Sequence, residues 1–118
     1  MPTIAVTTTK GITTTANQIA IVGEEKVALT FTLDGTLATY ATGKKTYIQF
    51  LTPDGRVVEK GDYDGSSGTI AVSVLASDLI FSHDGDLYIQ IVIRDVAEPS
   101  TTETWKSNKL KVTIGSSF

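Results

Sequence analysis

Residues 47–65 read YIQFLTPDGRVVEKGDYDG and contain a β-rich run, a turn and a second β-rich run. In the turn at 53–55, proline fixes φ at the first corner, aspartate tolerates a bend, and glycine accepts positive φ. Residues 46–51 are apolar on both faces, which is typical of a strand inside a sheet. The stretch therefore predicts a β-hairpin in which residues 56–60 form the second strand. The DYDG segment then opens the loop to the next strand.

Alternation of apolar and polar residues with period two continues along the rest of the chain. Four further strands are predicted on this basis, at residues 27–33, 70–74, 87–94 and 110–114. The weaker segments 3–9 and 18–22 predict edge strands, and 97–107 predicts a loop with a short strand around Trp105. Residues 76–80 are the only segment that predicts a helical turn, and they are too few for an independent helix.

Seven or eight short strands, separated by turn residues and without an amphipathic helix of ten residues, predict an all-β sandwich. The length of 118 residues favours a single domain over 1–118, in which 1–24 form edge strands or an exposed arm. A chain of this size buries enough surface to fold without metal or disulfide staples.

Composition excludes several classes of function. The chain has no cysteine, so disulfides, thiolate zinc sites and thiol nucleophiles are absent. Its formal charge is −3 and no basic block is present, which argues against nucleic acid as a partner. The first ten residues lack the features of a secretory signal, and no apolar run reaches the roughly 20 residues of a membrane span. We therefore expect a soluble protein that is not exported by a classical leader.

The DYDGSS segment is the first candidate metal site. Asp62, Asp64 and Ser66 stand at alternate positions, as oxygen ligands do in the first half of a calcium loop. The bidentate glutamate of such a loop would fall at Ser73, inside a predicted strand, and no helices flank the segment. A solvated connection between strands is the better interpretation, and we expect neither metal nor cofactor.

A catalytic or metal role for His83, next to Asp84 and near Asp86, is a second possibility. A zinc site would need three or four ligands, and this is the only histidine. No nucleophile elbow, phosphate-binding loop or HExxH motif is present, so we expect a protein without enzymatic activity. A small hydrolase on an all-β scaffold is the weakest interpretation of the chain's function.

The aromatic residues are candidates for a stacking platform or a protein anchor. They are Trp105 and the four tyrosines Tyr40, Tyr47, Tyr63 and Tyr88. We expect Trp105 to close one end of the core. Tyr63, in a polar segment, is the better candidate for an exposed contact.

Three segments together resemble a known family: TYIQFLTPDGRVVEKG, GTIAVSVLASDLIFSHDGDLYIQIVIRD and WKSNKLKVTI. They look like the N-terminal domain of upper baseplate or tail-fibre proteins from phages of Gram-positive hosts. The shared features are a strand ending in a Pro-Asp-Gly turn, an alternating strand after a glycine, and a short leucine-containing turn. They continue with a long strand that ends in aspartate and an alternating terminal strand. The resemblance covers residues 25–114.

The resemblance implies an immunoglobulin-like antiparallel β-sandwich of about seven to eight strands. It also implies a non-enzymatic adaptor that anchors receptor-binding components to the phage tail. The expected partners are other tail or baseplate proteins, with a homo-oligomer such as a trimer in the virion. We expect assembly in the bacterial cytoplasm and, in that family, a chain that continues into helical or fibrous segments.

An alternative is a carbohydrate-binding β-sandwich module of a bacterial surface protein or polysaccharide-degrading enzyme. It would require exposed aromatic side chains aligned on one face or at one loop end.

Overall fold

The computed structural model describes residues 3–14, 18–22, 25–95 and 103–116. These residues contain ten strands: β1 (Thr3–Val6), β2 (Ile12–Thr14), β3 (Gln18–Ile21), β4 (Lys26–Leu33), β5 (Lys44–Leu51), β6 (Val57–Tyr63), β7 (Thr69–Leu75), β8 (Gly85–Asp95), β9 (Glu103–Lys106) and β10 (Leu110–Gly115). One short helix, α1 (Gly35–Ala41), lies between β4 and β5, and a 3₁₀ turn (Ala76–Asp78) follows β7.

The strands form two sheets. Sheet A has the order β2-β1-β4-β7, and sheet B has the order β3-β10-β8-β5-β6. The short β9 also pairs with β8, beside the part of β8 that β10 leaves uncovered. The β1–β4 and β3–β10 pairs are parallel and the other pairs are antiparallel. The predicted all-β sandwich is confirmed, with more strands than the seven or eight expected.

The core lies between the sheets, where the predicted period-two faces meet. Val27, Leu29, Phe31 and Leu33 of β4 are all buried, and the same holds for the alternate apolar residues of β7 and β8. In β4 the residues between them are only partly exposed, since this strand has neighbours on both sides. Burial of one large aliphatic or aromatic side chain contributes about 1.5–3 kcal/mol, so this alternating set stabilises the sandwich.

The predicted hairpin is confirmed as β5–β6. Gly55 has φ of +89°, and its N–H donates to the Thr52 carbonyl at 2.9 Å. The Thr52 N–H donates to the Arg56 carbonyl at 2.8 Å and closes the turn. The strand β6 extends further than predicted, because Asp62 and Tyr63 belong to it and the connection to β7 begins at Asp64. The first half of the DYDG segment therefore belongs to β6, and its second half lies in the connection to β7.

The helix α1 was not predicted from the sequence. Asp34 directly follows the strand predicted at 27–33, and its side chain accepts a hydrogen bond from Leu37 N at 2.7 Å and caps the helix. The same carboxylate accepts from Thr8 N and Thr8 Oγ1, each at 2.6 Å. It joins α1 to the β1–β2 connection.

Two predictions for weaker segments need correction or limits. Of the N-terminal strands, β3 lies at an edge as expected, whereas β1 lies between β2 and β4. The helical turn predicted at 76–80 is confirmed as the 3₁₀ turn. The short strand predicted around Trp105 is confirmed as β9, while residues 97–102 of the predicted segment lie outside the described residues.

Candidate interaction surfaces

An ordered polar network covers part of the outer face of sheet B. Glu59 on β6 accepts hydrogen bonds from Arg94 on β8 at 2.8 and 2.9 Å, across the intervening β5. Gln49 of β5 donates to the same carboxylate at 3.1 Å, and the Arg94 guanidinium lies 4.5 Å from the ring centroid of Tyr47. The hydrogen bonds from Arg94 hold the pKa of Glu59 below its usual value, because they favour the charged form. This network holds three strands in register from outside the core.

Beside the network lies an apolar row on the same face. Leu51 of β5 is opposite Val57 of β6 on one side and opposite Tyr88 of β8 on the other. Val57 is 68% exposed. A cleft of about 140 Å³ opens here, lined also by polar side chains that include Gln49 and Lys109. An apolar centre with a polar rim is the composition of many protein-docking surfaces.

The β5–β6 turn is tied to the segment that follows the 3₁₀ turn. Arg56 donates from Nε to Asp54 at 2.9 Å and from a terminal nitrogen to the Leu79 carbonyl at 2.6 Å. Thr52 also donates its hydroxyl to Asp54. The hydrogen bonds from Arg56, then from Thr52, lower the pKa of Asp54 to about 2. The carboxylate therefore stays charged and holds the turn in place over the ordinary pH range.

The strand β6 lies at one edge of sheet B and β7 at one edge of sheet A, and the two follow each other in the chain. We call them and the 3₁₀ turn after β7 the open side of the sandwich. Lys60 of β6 forms an ion pair with Asp78 at 2.8 Å, and Asp78 also accepts from Leu75 N at 2.8 Å. Three of the exposed large hydrophobic residues belong to the open side or adjoin it: Val57, Leu75 and Leu79. The open side is a second candidate for contact with another chain.

The residues of the candidate calcium loop have partners elsewhere. Asp62 lies in β6 and pairs with Lys45 at 2.8 Å, and this hydrogen bond lowers the pKa of Asp62. Asp64 accepts from Ser66 N at 2.9 Å, while Ser73 lies in the middle of β7. Within the described residues, no group of three histidine, aspartate or glutamate side chains could hold a metal ion. The alternate spacing thus arises from a strand end and the turn that follows it.

The structure places His83 on the surface, next to the β5–β6 turn. Its Nδ1 is 3.1 Å from Ser82 Oγ and 3.8 Å from Asp54 Oδ2. The neighbours expected from the sequence were Asp84 and Asp86 instead. Asp86 lies in β8, 3.8 Å from Lys111 Nζ. The side chain of His83 is 58% exposed, so no enclosed site forms around its imidazole.

Tyr63, predicted as the better candidate for an exposed contact, is only partly exposed. Tyr63 lies in β6 and packs against the core, and burial raises the pKa of its hydroxyl. Trp105 also packs against the core, partly buried, as expected. The Lys10 ammonium lies 5.3 Å from the centroid of the Trp105 ring.

Of the remaining tyrosines, two carry a cation over their rings. Lys44 Nζ lies 4.5 Å from the centroid of Tyr40, and Arg94 lies over Tyr47. A cation over the ring face is worth about 0.5–1 kcal/mol at an exposed site. Only Tyr88, in the apolar row, shows no such contact among the described residues. The apolar row and the open side were both missed from sequence, because both depend on the order of the strands in the sheets, which is a long-range property.

Comparisons with known proteins bear on the fold. No protein-family model matches the sequence, and no curated protein matches it either. Among solved structures, the chain is similar to the N-terminal domain of phage TP901-1 ORF48. The two share 12% sequence identity with a TM-score of 0.67, and the match covers 96% of each chain. At this identity the match establishes a shared fold over almost the whole chain. No helix in the described residues is long and apolar enough to cross a membrane.

Proposed function

We propose that residues 1–118 form one β-sandwich domain with a structural role in a phage particle. In this proposal it is a non-enzymatic adaptor of the baseplate or tail fibre that anchors receptor-binding components to the tail. The carrying observation is the end-to-end likeness to an N-terminal domain of a phage protein. It agrees with the resemblance that the hairpin, β7, β8 and β10 show in sequence. The finer immunoglobulin-like assignment belongs to the same proposal.

An adaptor needs a surface for its partner, and the apolar row is the candidate on sheet B. Val57 is largely exposed there, and the neighbouring Glu59–Arg94 network fixes the strands beneath it. A preorganised face loses little conformational entropy on binding, which favours affinity. The expected partners are other phage tail or baseplate proteins, with the virion as the place of action.

The carbohydrate-binding alternative is disfavoured by the aromatic residues. Trp105 and Tyr63 pack against the core. Cations lie over the rings of Tyr40 and Tyr47. These four side chains do not form a row of aromatic faces open to a sugar ring. On the outer face of sheet B, Arg94 lies over Tyr47, and Tyr88 is the described tyrosine there without a cation over its ring.

Immunogold electron microscopy tests the proposal. An antibody against this domain would be applied to particles released from the source bacterium after prophage induction or phage infection. Gold at the distal end of tails would support a baseplate or fibre component. Labelled cell walls beside unlabelled particles would overturn the phage role and favour glycan binding.

A variant pair tests the docking surface. Val57→Asp places a charge in the apolar row and should reduce incorporation of the protein into particles. Thr13→Asp places the same charge on β2, an edge of the other sheet, and should leave incorporation unchanged. Equal incorporation of both variants would exclude the apolar row as the docking surface.

A further inference from the structure

The strand β7 is an unprotected sheet edge. Within the described residues it pairs only with β4, and its seven residues, TIAVSVL, include no charge and no proline. Natural proteins usually block such edges with charges, proline, bulges or short length. The other described edges follow that rule: β6 carries Glu59, Lys60 and Asp62, while β2, β3 and β9 have only three or four residues each. Among the described edges, β7 alone is long, regular and uncharged.

The register with β4 determines which backbone groups of β7 point outward. At one end Leu33 N donates to the Gly68 carbonyl, and at the other Ala76 N donates to the Glu25 carbonyl. Hydrogen-bonded pairs recur at every second residue of an antiparallel ladder, so the even-numbered residues of β7 face β4. The outward-facing residues are Thr69, Ala71, Ser73 and Leu75.

Local side chains already occupy the two ends of this edge. Ser67 Oγ lies 3.4 Å from Thr69 N and donates to the Thr69 carbonyl at 3.1 Å. Leu75 N donates to Asp78 at 2.8 Å. The middle of the edge therefore presents four groups to solvent, namely the N–H and C=O of Ala71 and of Ser73.

We propose that β7 pairs with β7 of a second copy of this chain, antiparallel, about a two-fold axis at Val72. In this register Ala71 is opposite the partner's Ser73, and Ser73 is opposite the partner's Ala71. Both pairs are of the hydrogen-bonded type, so the four outward N–H and C=O groups of each chain form four hydrogen bonds between the two chains. A register with Ala71 opposite the partner's Ala71, or Ser73 opposite the partner's Ser73, would form only two hydrogen bonds from these groups. The two sheets A then form one eight-stranded sheet.

A second copy fits this edge because the edge is complementary to itself. Two uncharged strands bring no like charges together, and alanine and serine add no bulk on the outer face. Leu75, 43% exposed, lies opposite the partner's Thr69. Two strand edges bury less than the roughly 1,200 Å² of a standard interface, so we expect a weak dimer, micromolar to millimolar. The inference does not depend on the phage role.

Sedimentation velocity of the full chain tests the pairing, from about 10 μM to about 1 mM, the affinity range of a weak dimer. The mean mass should rise toward twice the monomer mass. Proline is tolerated in an edge strand when the missing N–H faces outward. Ser73→Pro removes one outward N–H, leaves the hydrogen bonds to β4 intact, and should abolish the rise in mean mass. Ser73→Ala keeps the N–H and should preserve it. A monomer over the whole range, or a dimer that survives Ser73→Pro, overturns the proposal.

Cysteine cross-linking tests the register, since the chain has no cysteine of its own. Directly opposite residues have Cα atoms about 5.5 Å apart, within disulfide reach, whereas diagonal neighbours about 7–8 Å apart are out of reach. The double variant Ala71→Cys/Ser73→Cys should give a covalent dimer on mild oxidation. Neither single variant should do so. Cross-linking by either single variant, or none by the double variant, overturns the axis at Val72.

Discussion

Arg94 and Glu59 are joined by two hydrogen bonds, although a whole strand lies between β8 and β6. Both side chains lie on the outer face of sheet B, with side-chain exposures of 17% and 32%. A guanidinium that binds a carboxylate through two nitrogens fixes both distance and orientation. The pair therefore resists slippage of the edge strand β6 relative to the centre of the sheet.

The first prediction concerns this pair and pH. The pKa of Glu59 is depressed in the folded state, so its contribution to stability is present above the unfolded pKa. That contribution is lost as pH falls through the folded pKa. We expect Glu59→Gln to reduce the free energy of unfolding at pH 7 by about 1 kcal/mol, the upper range for a partly exposed pair. Urea unfolding at pH 7 and at pH 3 measures the difference.

At pH 3, below the ordinary pKa of glutamate (about 4.3), the gap between wild type and Glu59→Gln should be smaller, because the unfolded state then binds a proton more readily than the folded state. Arg94→Lys serves as the matched variant, since it keeps the charge but loses the two-pronged geometry and the contact with Tyr47. It should also destabilise the protein at pH 7. A gap between wild type and Glu59→Gln that is constant from pH 7 to pH 3 would contradict this role of the carboxylate.

The second prediction concerns the hairpin turn. Gly55 has φ of +89° with no atom within 4 Å of an added Cβ, so a side chain there meets backbone strain but no collision. Gly55→Val should destabilise the fold by about 1–3 kcal/mol. Gly35→Ala is the control, because Gly35 also has open space around it but lies in α1 without positive φ. Thermal melts of the two variants should diverge, and an unchanged melt for Gly55→Val would contradict the turn assignment.

The third prediction concerns calcium. Asp62 pairs with Lys45, and Asp64 holds the turn at Ser66, so the two carboxylates serve different partners. We expect Asp62→Ala and Asp64→Ala to leave the melting temperature nearly unchanged, and calcium to have no effect on wild type or variants. A saturating ligand at 100 times its dissociation constant would add about 2.7 kcal/mol, a shift that a thermal-shift assay detects easily. Calcium-dependent stabilisation lost in either variant would restore the metal interpretation.

Much of the sandwich could be predicted because its information is local. Alternation fixed the buried faces of β4, β7 and β8, and the Pro-Asp-Gly turn fixed the β5–β6 hairpin. The helix α1 escaped detection because its cap, Asp34, has the same appearance in sequence as a turn residue that ends a strand. Asp34 also binds Thr8, which lies 26 positions earlier in the chain, and no local sequence pattern indicates a contact over that separation.

The candidate surfaces were less predictable than the fold. Tyr63 was expected to be exposed because acidic and glycine residues surround it, yet β6 continues through it and turns its ring toward the core. Val57 owes its exposure to the position of β6 at an edge, and edge position depends on strand order. Strand order is a long-range property, and the unprotected edge at β7 depends on it in the same way.

The fourth prediction compares two buried threonines with opposite hydrogen bonding. Thr46 is fully buried, and its hydroxyl has no hydrogen-bond partner in the structure. Thr52 is also buried, but its hydroxyl accepts from Arg56 N at 3.0 Å and donates to Asp54. An unpaired buried hydroxyl costs free energy, whereas a paired one leaves its partners unsatisfied when it is removed.

Valine has nearly the shape of threonine, so the substitution isolates the hydroxyl. We expect Thr46→Val to stabilise the protein by about 1 kcal/mol and Thr52→Val to destabilise it by about 1–3 kcal/mol. Urea unfolding measures both, and a loss of stability in Thr46→Val would show that its hydroxyl has a partner in solution.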